Sequence, residues 1–153
     1  MKKYLIKPTW VILPIVLFFL FSCASTQKKQ SKSRDVDFYF NRGFAYINKG
    51  QYDRAISDYT KAIEIDPKYA SIYYNRGIAY DNKGQYDQAI SDHTKAIEID
   101  PKLVSAYYNR GVVYYFKKEY DKSWEDLKKA QNLGYQIPTK FFEDLRKASG
   151  RQN

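Results

Sequence analysis

From residue 36 onward, apolar residues fall into short stripes of helical period separated by polar breaks. Tyr39, Phe40, Phe44, Ala45 and Ile47 are spaced to share one side of a helix. Tyr52, Ala55, Ile56, Tyr59, Ala62 and Ile63 form a second such stripe. Asn48-Lys49-Gly50 separates them and places Gly50 at a helix end, where a positive φ costs glycine little. Asp66-Pro67 stops the second helix, because a proline ring crowds a helical residue before it. The same succession returns with Gly84 and Asp100-Pro101. The pattern predicts helical hairpins and an all-α body.

The succession has a fixed length. Gly43, Gly77 and Gly111 stand 34 residues apart, and so do Tyr39, Tyr73 and Tyr107; Asn41, Asn75 and Asn109; and Tyr46, Tyr80 and Tyr114. Residues 36–69 and 70–103 are identical at 25 of 34 positions, and residues 104–137 match the second unit at 13 of 34. A period of this size marks stacked supersecondary units that bury a continuous core between neighbours. In the third unit Lys118 replaces the turn glycine, Ser123 an alanine, and Tyr135 the proline. Such drift suits a terminal unit that packs on one side. Past Gly134, the residues Phe141, Phe142, Leu145 and Ala148 share one helix face. Residues 138–153 are therefore expected to form a capping helix over unit three, with a detachable interaction helix as the alternative.

Residues 1–35 follow another pattern. Lys2, Lys3 and Lys7 precede the apolar run Pro8–Phe21, and small residues Ser22-Cys23-Ala24 precede a polar, basic stretch. That order is an export signal: basic start, apolar centre, small-residue exit. The apolar stretch is short for a membrane span, and Pro14 interrupts it.

Composition narrows the chemistry. The chain has 153 residues, 44% of them hydrophobic and 28% charged, which suits a packed body. One cysteine and one histidine exclude a disulfide framework and a Cys/His zinc site, and no nucleophile–base pair stands out. No enzyme, metal or cofactor is expected. The net charge of +9 sits mostly at the two ends, because residues 36–137 hold 15 basic and 14 acidic side chains. A nearly neutral body lacks the clustered cations that phosphate backbones require, so no nucleic acid is expected. The acids, as in Asp53-Arg54 or Glu125-Asp126-Leu127-Lys128, read as solvated helix faces. His93, which replaces Tyr59 one unit on, reads as a core histidine, and Trp124 as a core residue.

The repeat resembles the tetratricopeptide repeat (TPR). Unit one supplies Tyr39, Gly43, Tyr46, Ala55, Tyr59, Ala62 and Pro67. Unit two supplies Tyr73, Gly77, Tyr80, Ala89, His93, Ala96 and Pro101, and unit three Tyr107, Gly111 and Tyr114. The resemblance implies a right-handed α-solenoid of three helix-turn-helix repeats (36–69, 70–103, 104–137) plus the C-terminal capping helix. It also accounts for most of the 16 tyrosines, as interhelical fillers.

The same resemblance puts the first helix of each repeat on a concave wall. Asn41, Asn75 and Asn109 would point into it as amide rungs that pair with a peptide backbone. Phe40, Tyr74 and Tyr108, with Phe44, Ile78, Val112 and Tyr115, would form an apolar lane beside them. A solvated role for the asparagines and burial of the lane are the alternatives. A variant of this repeat clamps a C-terminal carboxylate. Its basic positions correspond here to Phe40, Ser105 and Asn109 and one of its asparagines to Phe44, so Asn75 alone fits and the clamp is not expected.

Leu20-Phe21-Ser22-Cys23 resembles a bacterial lipobox. It implies cleavage of residues 1–22 as a signal peptide, lipidation of Cys23, and a basic tether over 23–35. An uncleaved signal anchor and a secreted protein cut after Ala24 are the alternatives. Ala24 after the cysteine implies the outer membrane, facing the periplasm. Together the two resemblances imply an envelope lipoprotein that holds extended segments of other envelope proteins, a scaffold without chemistry. The competing reading gives the apolar lane to a second copy of the chain, as a homo-oligomer.

Overall fold

In the computed structural model the described residues are 12–151; for 12–26, 28 and 29 the backbone alone is described. The chain divides into two compact units, residues 1–35 and 36–153. The basic start of the expected export signal and the side chain of Cys23 lie outside the described residues. Among the described residues, no helix is long and apolar enough to cross a membrane.

Seven helices are described: α1 (Ile12–Asn48), α2 (Tyr52–Ile65), α3 (Ala70–Asn82), α4 (Tyr86–Ile99), α5 (Val104–Phe116), α6 (Tyr120–Asn132) and α7 (Thr139–Ser149). One difference from expectation is the start of the first hairpin. The segment expected as a tether is helical, because α1 is continuous from Ile12 to Asn48. Between Pro14 and Gly43 no proline or glycine interrupts it, and Lys, Gln and Arg are good helix formers.

From Val36 on, α1 with α2, α3 with α4, and α5 with α6 form hairpins. Their turns use Gly50 at φ +67°, Gly84 at φ +69° and, in the third, Lys118 at φ +62°. The left-handed region is cheap for glycine and costs a side chain about 1–2 kcal/mol, so the third turn carries strain the others lack. Within each hairpin the helices approach at a glycine. A Cβ on Gly43 would stand 2.8 Å from Tyr59, one on Gly77 2.7 Å from His93, and one on Gly111 3.0 Å from Leu127. Between hairpins the filler is alanine with aliphatic residues: Ile72 and Ala79 of α3 pack in one buried cluster with Ala55, Tyr59 and Ala62 of α2.

A second device repeats with the chain. Arg42, Arg76 and Arg110 each grip the aspartate 16 residues on through two N–H donors, Asp58 at 2.6 and 2.8 Å, and Asp92 and Asp126 each at 2.7 and 2.8 Å. The three aspartates are buried. Nη1 of Arg76 also donates to Thr60 Oγ1 at 3.0 Å, and that of Arg110 to Thr94 Oγ1 at 2.8 Å, so each arginine spans two repeats. Burial, the largest single influence, works against the charge of Arg76 and Arg110, but the aspartates' hydrogen bonds and negative charge, with the nearby tyrosines, together outweigh it and hold both guanidiniums above their ordinary basicity. This corrects the expectation of solvated acids. Asp126 is inside, because it lies one helical turn from the core positions Ser123 and Ala130. Exposed pairs repeat at the turn edge, Lys83 with Asp53, Lys117 with Asp87 and Arg151 with Asp121.

The last pair shows what α7 is. Phe141, Leu145 and Arg151 follow Tyr107, Gly111 and Lys117 by one period. α7 thus stands in the register of the first helix of a fourth repeat. Leu145 is fully buried in one cluster with Leu127 and Phe142, so the cap is a packed part of the fold. Trp124 lies half-buried, edge-on to Phe142 at 5.4 Å, rather than in the core. Gly150, at φ +67°, ends the helix.

Candidate peptide-binding face

Neighbours fix which side of each first helix is free. On α3, Gly77 abuts His93 of α4, Ile72 and Ala79 join the α2 cluster, and Arg76 reaches both Thr60 of α2 and Asp92 of α4. At 3.6 residues per turn the remaining side centres on Ile78. It carries Ser71, Tyr74, Asn75, Asp81 and Asn82. On α5, Gly111 and Arg110 are committed in the same way, leaving Ser105, Tyr108, Asn109, Val112, Tyr115 and Phe116. On α1, Gly43 and Arg42 leave Asp37, Phe40, Asn41, Phe44, Ile47 and Asn48.

All the residues expected to bind peptide stand at positions of this side, but their side chains are engaged differently. Asn41 is exposed. Asn75 Nδ2 donates to the Ser71 carbonyl at 2.7 Å, one turn back on its own helix. Asn109 Nδ2 donates to Tyr74 Oη at 3.2 Å, joining α5 to α3 across the face. Each amide oxygen is left as an acceptor with no hydrogen bond to any described residue. Phe40 leans on Tyr59 with ring centres 6.0 Å apart, Tyr74 on His93 at 5.7 Å, and Tyr108 stacks on Tyr135 at 4.5 Å. These three aromatics are half-buried: one side serves the hairpin and the other faces outward. Ile78 and Val112 are also half-buried, and Phe44 is 50% exposed. Tyr115 turns toward the cap, 5.4 Å from Phe141 and 5.9 Å from Tyr120.

Asp81 was not singled out from the sequence. It is half-buried, and its carboxylate has no hydrogen bond or ion pair with a described residue. Burial pushes its carboxyl above the ordinary range. The signal was present, since Asp81 occupies the apolar column of Ile47 and Tyr115, one period away on either side.

Under the face lies His93, fully buried as expected, with neither ring nitrogen hydrogen-bonded. Burial, helped by the nearby Arg110 charge, lowers its pKa to about 4. The unfolded chain takes up a proton near pH 6.5 and the folded one does not. Stability is therefore complete above 6.5 and is lost as pH falls toward 4, by about 3 kcal/mol. His93→Leu, which copies Leu127 of unit three, is expected to flatten this limb in urea melts at pH 7 and pH 4.5. An unchanged pH slope would assign it to other groups. Among the described residues no group of three or more His, Cys, Asp or Glu can hold a metal.

Three family profiles match the chain: TPR repeat over residues 45–84, and tetratricopeptide repeat over 70–103 and again over 94–125. No curated protein matches. Among solved structures, the TPR domain of Arabidopsis OM64 is similar at 30% identity and TM-score 0.72, over 76% of this chain and 98% of that one. The TPR2B domain of yeast Sti1, solved in complex with pHsp70, is similar at 27% identity and TM-score 0.68, over 78% and 99%. The second TPR domain of human RPAP3, solved with the HSP70 peptide SGPTIEEVD, is similar at 27% identity and TM-score 0.69, over 76% and 97%. Profiles, fold and repeat register agree: the chain belongs to the tetratricopeptide-repeat family.

Proposed function

We propose that this protein is a lipid-anchored, non-enzymatic receptor of the bacterial envelope. It holds extended segments of other envelope proteins on the face of α1, α3 and α5. The observation that carries the binding role is the row of unused amide oxygens on Asn41, Asn75 and Asn109 beside a half-buried aromatic lane. Asparagine can meet a peptide backbone whatever its side chains are. A face preformed on packed helices also loses little order on binding. The similar domains of Sti1 and RPAP3 were solved with chaperone partners, which supports peptide capture on this fold. The anchor rests on the lipobox-like Leu20–Cys23, with Ala24 favouring the outer membrane. Lys28, Lys29, Lys32 and Arg34 suit anionic headgroups.

The test uses the full chain carrying Asn75→Ala and Asn109→Ala, with crosslinking pull-down from native envelopes. Two lost hydrogen bonds of about 1 kcal/mol each are expected to weaken capture about tenfold or more. The fold should persist with a melting temperature lower by only a few degrees, since each substitution also removes one hydrogen bond within the protein. Equal yields from both proteins would refute the amide rungs.

Exposed Phe44 and Phe116, at 50% and 58%, favour the second reading, self-association through the same face. A concentration-dependent dimer in ultracentrifugation, lost in Tyr74→Ala and Tyr108→Ala, would establish it.

A further inference from the structure

Granting the peptide face proposed above, we infer that its occupant is an extended, largely apolar segment carrying one lysine or arginine, whose cation sits against Asp81. The charge of the face carries this. The chain holds 26 lysines and arginines, yet from Val36 on none stands at the free positions of α1, α3 or α5; the charged residues there are Asp37 and Asp81. Of the three equivalent lysines just past the face, Lys83 is paired with Asp53 and Lys117 with Asp87 and Glu119, while Lys49 is exposed with no ion pair to a described residue.

Asp81 differs from the buried acids of the fold. Asp58, Asp92 and Asp126 are each answered by an arginine. Asp81 is half-buried in an apolar column, and its carboxylate has neither a hydrogen bond nor an ion pair with a described residue. A partly desolvated carboxylate without a partner raises the free energy of the empty face, and an incoming ammonium or guanidinium relieves it. An acidic segment such as the peptide bound by RPAP3 would instead meet two carboxylates and no cation. Like charges brought together disfavour it. Ile78, one turn before the acid on α3, and Tyr74, one further turn back, supply apolar surface leading up to it, which suits the long stem of lysine or arginine.

The test is selection of a random nonapeptide library on the full chain, followed by fluorescence polarisation with one enriched peptide. Enriched sequences are expected to carry a single Lys or Arg among aromatic and aliphatic residues. Changing that residue to norleucine should cost about tenfold in affinity. Asp81→Asn should reproduce the loss for the basic peptide and leave the norleucine peptide unaffected. Asp81→Lys should turn the preference toward acidic peptides. Enrichment without basic bias, or a bias unchanged in Asp81→Asn, overturns the cation site; if Asn75→Ala with Asn109→Ala still weakens binding, the peptide face itself stands. Enrichment indifferent to all three positions overturns both readings. No enrichment also overturns both, and a dimer lost in Tyr108→Ala would then name a second copy as the occupant.

Discussion

Asp92→Ala is expected to lower the unfolding free energy by about 3–5 kcal/mol, the usual cost of leaving one member of a buried ion pair without the other. Arg76 has a side-chain exposure of 17% and Asp92 of 7%, so water cannot take over the missing carboxylate. Among the described residues, Thr60 would be the one side-chain acceptor left to the guanidinium. Domains of this size are stable by about 5–15 kcal/mol, so the loss is a large fraction of the whole. A further change of Arg76 to methionine should recover much of it, because the stranded charge is gone. Urea unfolding of the single and double variants measures both steps. A single-variant loss below about 1 kcal/mol, in the range of exposed pairs, would mean that the arginine escapes to solvent and the ladder is ornamental. By contrast Lys83 with Asp53, whose aspartate is 83% exposed, should be replaceable with little effect.

Cys23→Ser is expected to move nearly all of the protein from the membrane to the soluble fraction. One acyl chain anchors marginally and two or more anchor stably, so removing every chain changes partition by orders of magnitude. On that proposal the basic residues 28–34 would give only a weaker attachment that salt screens. Fractionation of cells expressing either protein, with a high-salt wash, reads the result. Retention of Cys23→Ser after that wash would assign attachment to the apolar stretch, as an uncleaved anchor.

Much of the hairpin architecture was legible because three kinds of residue report it locally. Gly50 and Gly84 mark turns that need a left-handed residue, and both adopt φ near +68° in register. Asp66-Pro67 and Asp100-Pro101 mark helix ends, and α2 and α4 stop at Ile65 and Ile99. Gly43, Gly77 and Gly111 mark close approaches, where a Cβ would collide with the facing helix.

Less legible was what the charged residues do. A helical period tells core from surface by hydrophobicity, so Asp58, Asp92 and Asp126 read as surface. Their spacing of three and four residues from Ala55 and Ala62, and from the equivalent small residues later, placed them inside. Asn41, Asn75 and Asn109 and the glycines two residues on were visible as repeat marks, but the arginine between them meets a partner 16 residues away on another helix, a distance no local pattern reports. The candidate face was legible as positions, not as bonds. Nothing in the spacing says that Asn75 turns back on Ser71 while Asn109 crosses to Tyr74. The start of α1 escaped for the opposite reason: a polar run without breakers reads as a tether, yet nothing in it stops a helix.

The most direct measurement places the photocrosslinker p-benzoylphenylalanine at Ile78, at the centre of the free side of α3, and at the exposed Gln88 of α4, in the full chain in native envelopes. Irradiation is expected to give a discrete adduct with another polypeptide from Ile78, competed by a selected peptide, and none from Gln88. An adduct confined to the chain itself, or equal adducts from both positions, would contradict a free face that receives a partner.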